Sequence, residues 1–206
     1  MQKIMFNDRY GLTDAVIEGR KIMTRRLADP KQKYQGFKWW QPCLELGFGL
    51  YGLIEDDDWE LIEPRYHLGE VVAVAQSYEQ IGANPQHYIS RPDIDGYQII
   101  SMCPDWRNKI FVRAELMPHQ IRIKGVRCER LQDISDEDCM KEGVVDVTYF
   151  KSGGRPYELF ALPGHEYEET FNTPRQAFAA LIDKVCGRGT WKSTPWVIAY
   201  EFELVK

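Results

Sequence analysis

The chain has 206 residues and a formal net charge of −5, with 44% hydrophobic and 28% charged residues. These proportions are those of an ordinary globular protein, and the length is sufficient for one well-buried core. The acidic balance argues against a protein that coats nucleic acid through bulk electrostatics, but it is compatible with a small nucleotide pocket whose lining is locally cationic.

The sequence does not indicate a membrane protein, a disulfide-stabilised protein or a metal-binding protein. The most apolar window, residues 68–78, is shorter than a membrane span and contains Glu70, and the first residues lack the apolar region of a signal peptide. We therefore expect a cytoplasmic protein with no membrane partner. The five cysteines and four histidines are scattered without ligand spacing, so we expect no bound metal and no cofactor.

The first predicted element is a short helix over residues 9–18, which Gly19 ends. It leads into a basic motif, residues 19–26, in which four cations and a hydroxyl are concentrated: Arg20, Lys21, Thr24, Arg25 and Arg26. In an acidic chain, this block of positive charge favours the binding of a phosphate, a nucleobase or RNA. The alternative is a solvated basic turn.

The middle of the chain alternates between predicted strands and irregular segments. Residues 27–65 are predicted to be irregular, as are residues 80–108. Buried or half-buried strands are predicted over residues 68–75, 110–112 and 120–129. Gly125 separates two runs of opposite side-chain parity in the last of these, which indicates a β-bulge.

Two helices and a strand are predicted in the last third of the chain. Ser135 begins a helix that ends at Gly143, and residues 144–170 are predicted to be irregular. Thr173-Pro174 begins a second helix that Gly187 ends, with an apolar stripe formed by Phe178, Leu181, Ile182 and Val185. Residues 196–204 alternate as a half-buried strand. These elements predict an α+β fold, in a single domain over residues 1–206 with insertions near 28–65, 79–108 and 144–170.

Three segments of the chain also carry motifs of a known family. The first is residues 4–7 together with the basic motif. The second is residues 126–135 (VRCERLQDIS), continuing to Glu142-Gly143, and the third is residues 189–191 (GTW) with the strand from Pro195 to Phe202. In these segments and their order, the chain resembles the ASCH family, a branch of the PUA-like β-barrel superfamily, especially its phage-derived and prophage-encoded members.

The resemblance implies a PUA-like β-barrel with flanking helices and long loop insertions. ASCH proteins include small bacterial enzymes that hydrolyse the acetyl amide of 4-acetylcytidine, and others that bind RNA or act as ribonucleases. The enzymes' catalytic motif falls on Lys21, Thr24 and Glu142, with Arg26 as the matching arginine. In many phage-type relatives an Arg-Glu-Thr sequence ends the strand that follows Gly69, whereas this chain has Ala75-Gln76-Ser77.

The residues therefore support three functions: an RNA- or nucleotide-binding domain, an amidohydrolase acting on a modified nucleoside, and a ribonuclease. We expect Lys21, Thr24 and Glu142 as catalytic candidates and Arg20, Arg25 and Arg26 as ligand-binding candidates. Amide hydrolysis by Thr24 needs a base, and Lys21 can serve only if burial or nearby cations lower its pKa. In a regular strand residues 21 and 24 face opposite sides, so this chemistry also requires a turn or bulge between them.

Overall fold

The computed structural model describes residues 1–28, 40–42, 51–55, 58–62, 64–82, 106–150 and 156–205. Its largest element is a five-stranded sheet with the strand order β1 (Lys3–Ile4), β6 (Val71–Val74), β7 (Gln120–Arg130), β13 (Trp196–Leu204) and β2 (Met23–Leu27). The pair β1–β6 is parallel and the other pairs are antiparallel. The mixed architecture confirms the α+β prediction.

The sheet is open within the described ranges, because β1 and β2 form its two edges and do not pair with each other. The ASCH-type barrel therefore stays a prediction. Nowhere in these ranges does a helix combine the length and apolar character that a membrane span needs.

The two long central strands, β7 and β13, carry the predicted bulge. Their register passes from Glu201 opposite Gly125 to Phe202 opposite Ile123, so that one residue of β7, Lys124, is extra. The shift resets the side-chain parity of β7 where the sequence changes phase. The β-bulge and the strands predicted over 68–75, 120–129 and 196–204 are confirmed.

Parts of the segments predicted to be irregular form additional strands. Within residues 27–65, β3 (Trp40–Pro42), β4 (Tyr51–Glu55) and β5 (Asp58–Ile62) form an antiparallel sheet. The prediction was wrong there because proline, glycine and the acidic run 55–58 obscure short alternating stretches. That run contains the end of β4 and the start of β5. Of the adjacent residues Trp39 and Trp40, Trp40 begins β3 and Trp39 lies outside the described residues.

Residues 144–170 likewise contain strands, each only two residues long. β8 (Val145–Asp146), β11 (Phe160–Ala161) and β12 (Thr170–Phe171) form one small sheet. β9 (Tyr149–Phe150) pairs with β10 (Pro156–Tyr157). Two residues are too few to display an alternating pattern, which explains why the sequence predicted irregular structure.

The helices are α1 (Leu12–Ile17), α2 (Tyr78–Ile81), α3 (Asp136–Lys141), α4 (Pro174–Cys186) and α5 (Thr190–Ser193). The starts predicted for α3 and α4 are confirmed, as is the end of α1 at Gly19. The predicted start of the first helix at residue 9 was wrong, because residues 8–10 form a 3-10 turn and Gly11, in the left-handed region with a φ of 57°, separates it from α1. Ser135 accepts the backbone N–H of Asp138 at 3.1 Å at the start of α3, and Thr173 accepts that of Gln176 at 3.2 Å at the start of α4. Gly19 follows the end of α1 with a positive φ of 73°.

The strand predicted over residues 110–112 is absent, and this prediction was wrong. The segment is a turn and bend in which Ile110 and Phe111 are exposed and only Val112 is buried. The ammonium group of Lys3 accounts for this shape. It donates to the backbone carbonyls of Lys109, Ile110 and Val112 at 2.5–3.0 Å, so these carbonyls converge on one cation rather than on a neighbouring strand.

The predicted stripe of α4 packs against the core. Phe178, Leu181 and Ile182 are buried, whereas Val185 is 37% exposed at the end of the stripe. Phe178 meets Trp191 of α5 edge to face, with ring centroids 6.1 Å apart. Helix α4 also contacts α3 and the strands β11 and β12, which places it beside the residues of the candidate site.

We expect Gly143→Ala to lower the free energy of unfolding by about 1–2 kcal/mol, because Gly143 has a positive φ of 102° that a side chain tolerates poorly. An added Cβ would lie 3.5 Å from the Cβ of Lys21, so the cost arises from the backbone and not from a clash. Gly125→Ala is the control, since Gly125 lies outside the left-handed region. Urea denaturation compares the two variants, and equal losses of stability would contradict the prediction.

Candidate functional site

Lys21 lies between the carboxyl-terminal ends of two helices. Its backbone N–H donates to the carbonyl of Ala15 in α1 at 2.8 Å, and the next N–H, of Ile22, donates to the carbonyl of Lys141 in α3 at 2.9 Å. The Lys21 ammonium donates to the carbonyl of Glu142 at 2.7 Å. A cation is favoured at this position because helix ends present unpaired carbonyls.

The Lys21 side chain forms a buried ion pair with Glu142. Its Nζ lies 2.6 Å from Oε2 of Glu142, and the two side chains are 2% and 5% exposed. Glu142 directly follows α3, where the helix dipole disfavours an anion. Lys21 and Arg25 offset this effect, since the guanidinium of Arg25 also donates to Oε1 of Glu142 at 3.0 Å.

Arg25 is the centre of a cluster of three carboxylates, formed by Glu129, Asp138 and Glu142. Its Nε donates to Glu129 at 2.7 Å and its Nη2 to Asp138 at 3.0 Å. Arg127 contacts Glu129 and Asp138 from the exposed side. The side chain of Arg25 is 1% exposed, so this residue joins β2, β7 and α3. Its predicted ligand-binding role thus competes with strong contacts inside the protein.

Thr24 and Arg26 lie on β2, one on each side of Arg25 in the chain. Thr24 is 5% exposed, and no described residue lies within hydrogen-bonding distance of its hydroxyl. Such buried hydroxyls are normally paired, so this one is available to a ligand. Arg26 donates to the carbonyl of Met5 at 2.5 Å and lies over the ring of Phe6 at 5.5 Å. Among the described residues, no carboxylate lies within ion-pair distance of Arg26.

Arg20 does not join the other candidates. It is exposed and pairs with Glu18 on the surface. Other basic residues of β7 are also engaged, since Arg122 and Lys124 approach Glu203, and Arg130 lies over the ring of Trp196 at 4.2 Å. The positive charge of these β7 residues is therefore partly neutralised by the Glu203 carboxylate.

A cavity of about 500 Å³, here called the main cavity, unites five of the six candidates with Asn7: its polar lining comprises Asn7, Lys21, Thr24, Arg25, Arg26 and Glu142. Its apolar lining includes Phe6, Leu12, Phe178, Leu181 and Ile182. This volume is typical of sites that take small organic ligands. Gln76 and Ser77 lie outside this lining: Gln76 bonds to His119, and Ser77 caps α2.

Lys21 and Thr24 can face the same site only if the chain between them is not a regular strand, and the start of β2 fulfils this requirement. The strand starts at Met23, so Lys21 precedes it in the bend between α1 and the sheet. Strand parity therefore does not apply to Lys21, and both side chains line the main cavity. Sequence patterns did not predict that the stripe of α4 would line the same cavity, because an apolar stripe has the same pattern whether it meets core or cavity.

Burial lowers the pKa of Lys21 below its ordinary value of 10.5, and the nearby charges of Arg26 and Arg25 lower it further. The Glu142 carboxylate opposes this shift without cancelling it. The sequence argument that Lys21 needs burial or nearby cations to act as a base is therefore met mainly by burial.

We expect the free energy of unfolding of the wild type to rise relative to that of Lys21→Met as the pH approaches 10.5. Between the lowered folded pKa and 10.5 the unfolded chain binds more protons than the folded one, so stability increases with pH. Each unit of lowering contributes about 1.4 kcal/mol across this window. Urea denaturation at several pH values measures the difference, and a constant or falling difference would contradict the lowered pKa.

Two negative findings complete the description of the site. In the parts of the chain that the structure describes, no three His, Cys, Asp or Glu side chains gather where a metal ion would bind. No model of a protein family, no curated protein and no solved structure matches the chain. The site is thus characterised by its own geometry, in which apolar side chains surround a buried Lys–Glu ion pair, a threonine hydroxyl and an arginine.

Proposed function

We propose that the protein binds the base of a modified nucleoside, or of a nucleotide within RNA, in the main cavity. The observation that carries the proposal is the buried hydroxyl of Thr24, which lacks a partner among the described residues and lines a cavity of small-molecule size. A ligand that accepts or donates a hydrogen bond there would satisfy this group, which is otherwise costly to bury.

The lining of the main cavity suits a flat heterocycle with polar edges. The partly exposed side chains of Met5, Leu27 and Val185 offer apolar surface to the faces of a ring. Asn7 accepts the N–H of Arg9 through its oxygen at 3.0 Å, so its amide nitrogen remains a donor for a base oxygen. Arg26 supplies further donors and a positive charge. A nucleobase combines apolar ring faces with polar edges, and so matches both parts of this lining.

The resemblance to ASCH proteins supports the same proposal. In that family, a PUA-like domain is associated with RNA and modified nucleosides, and its motif residues fall on three side chains of the main cavity: Lys21, Thr24 and Glu142. We propose an ASCH-type domain of phage-related origin on this basis. The cavity is lined by side chains of several elements and has a volume of about 500 Å³, which favours a single base over an extended stretch of RNA as the bound unit.

A second candidate, hydrolysis of an acylated base such as 4-acetylcytidine, is favoured by the lowered pKa of Lys21. In this reaction Lys21 acts as its neutral amine, the form that the lowered pKa favours. As the Thr24 oxygen attacks the acetyl carbon, its proton passes through one bridging water to this amine, because the two side chains do not bond directly. The resulting ammonium then delivers the proton to the departing amine as the C–N bond breaks. Water then cleaves the threonine ester and releases acetate. Glu142, bonded to the Lys21 ammonium at 2.6 Å, orients that group.

We expect calorimetry to detect binding of 4-acetylcytidine or cytidine, and we expect Thr24→Val to weaken it by about threefold to tenfold through the loss of one hydrogen bond. Thr170→Val is the matched control, since Thr170 is exposed on β12. Cytidine release is followed in the same samples, with Lys21→Met and the partly exposed Lys141→Met as the second matched pair. Absence of binding by both nucleosides and by a short RNA that contains cytidine would reject the proposed function, while binding of 4-acetylcytidine without release of cytidine would reject the hydrolase.

A further inference from the structure

A second cavity of about 310 Å³ adjoins the main one. It shares Met5, Arg26 and Leu27 with the main cavity, and its remaining lining includes Lys3, Arg65, Tyr66 and Tyr200. Arg26 is thus the charged residue common to both cavities. A ligand that fills the main cavity and extends past Arg26 would enter the second cavity.

The described lining of the second cavity holds three cationic side chains, Lys3, Arg26 and Arg65, and no carboxylate. The Lys3 ammonium is occupied by three backbone carbonyls, as described above. Arg65 is exposed and lies over the ring of Tyr66 at 5.5 Å. The nearby carboxylate of Glu70 already accepts the backbone N–H of His67 at 2.9 Å. The positive charge of Arg26 and Arg65 is thus available to an anion.

Tyr200 adds a hydroxyl donor to these charges. It is 1% exposed, and its oxygen accepts the backbone N–H of Arg65 at 3.1 Å. No acceptor for its own proton lies within reach among the described residues. Burial raises the pKa of Tyr200 to about 12, so the hydroxyl keeps its proton at neutral pH. A buried donor without an acceptor, beside two guanidinium groups, is suited to an oxyanion.

We propose that the second cavity binds a phosphate group attached to the nucleoside whose base occupies the main cavity. The inference rests on the proposed function and narrows its ligands to those that carry a phosphate group. Arg26 and Arg65 pair with the phosphate oxygens, and the Tyr200 hydroxyl donates to one of them. The apolar side chain of Ile198 closes the lining without competing for hydrogen bonds.

The experiment compares cytidine with cytidine 5′-monophosphate, cytidine 3′-monophosphate and a short RNA that contains cytidine, all by calorimetry. We expect a phosphate-bearing ligand to bind about tenfold or more tightly than cytidine, as hydrogen bonds to charged groups imply. The advantage should shrink as salt is added. Preference for the 5′- or 3′-monophosphate identifies a free nucleotide, and preference for the RNA identifies an internal phosphodiester.

Variants separate the second cavity from the first. We expect Arg65→Gln to remove most of the difference in affinity between a phosphate-bearing ligand and cytidine, and to leave the affinity for cytidine itself unchanged. We expect Tyr200→Phe to reduce the same difference. Arg20→Gln is the control, since Arg20 is an exposed arginine outside both linings. Equal affinities of cytidine and all phosphate-bearing ligands would overturn the inference but leave the proposed function intact. Failure of every ligand to bind would overturn both.

Discussion

Glu142→Ala is expected to lower the free energy of unfolding by about 3–5 kcal/mol, the loss that follows when one partner of a buried ion pair is removed. The Glu142 side chain is 5% exposed and bonds to both Lys21 and Arg25. Its removal leaves two buried cations without this shared anion, and among the described residues Lys21 then retains only the carbonyl of residue 142 as an acceptor. Urea denaturation measures the change as a lower midpoint.

Glu137→Ala is the matched control for this result. Glu137 lies in α3, the helix that Glu142 directly follows, and pairs with Lys141. Its side chain is 78% exposed, so its loss is expected to cost at most about 0.5 kcal/mol. The double variant Lys21→Met with Glu142→Leu should recover stability relative to Glu142→Ala, because apolar replacement removes an uncompensated charge. Similar costs for Glu137→Ala and Glu142→Ala would show that the ion pair contributes little.

Phe178→Ala is expected to destabilise the protein by about 3–5 kcal/mol, through lost burial and the space that remains. Phe178 is fully buried on α4, and its ring lies 6.0 Å below the Arg25 guanidinium and meets Trp191 edge to face. The same substitution enlarges the main cavity, which Phe178 lines. We therefore expect weaker nucleoside binding together with the loss of stability, measured by calorimetry and urea denaturation.

Val185→Ala is the control that tests whether burial, and not merely a place in the apolar stripe of α4, makes Phe178 important for stability. Val185 lies on the same face of α4 but is 37% exposed, so we expect it to cost less than about 1 kcal/mol. Phe178→Leu, which keeps most of the apolar volume, should fall between the two alanine variants. If Phe178→Ala were no more harmful than Val185→Ala, the packing assigned to Phe178 would be wrong.

Local patterns predicted those elements whose signals lie within a few residues. The caps at Ser135 and Thr173 and the turn at Gly19 depend on neighbouring backbone groups, so the sequence was sufficient for α1, α3 and α4. The same reasoning failed at residues 110–112. Three apolar residues in a row resemble a strand, but the Lys3 ammonium, more than a hundred residues away along the chain, binds their carbonyls.

Some features of the candidate site likewise follow from the local sequence, whereas others depend on the tertiary structure. The sequence by itself determined the concentration of Lys21, Thr24, Arg25 and Arg26 in one segment, because these residues are adjacent in the chain. Only the tertiary structure decided which of them face the main cavity, since this depends on where β2 begins and on α3 delivering Glu142 to Lys21. It also decided that Arg20 points to the surface and that Tyr200 and Arg65 line a second cavity. Burial and pairing are properties of residues distant in sequence, and no local pattern encodes them.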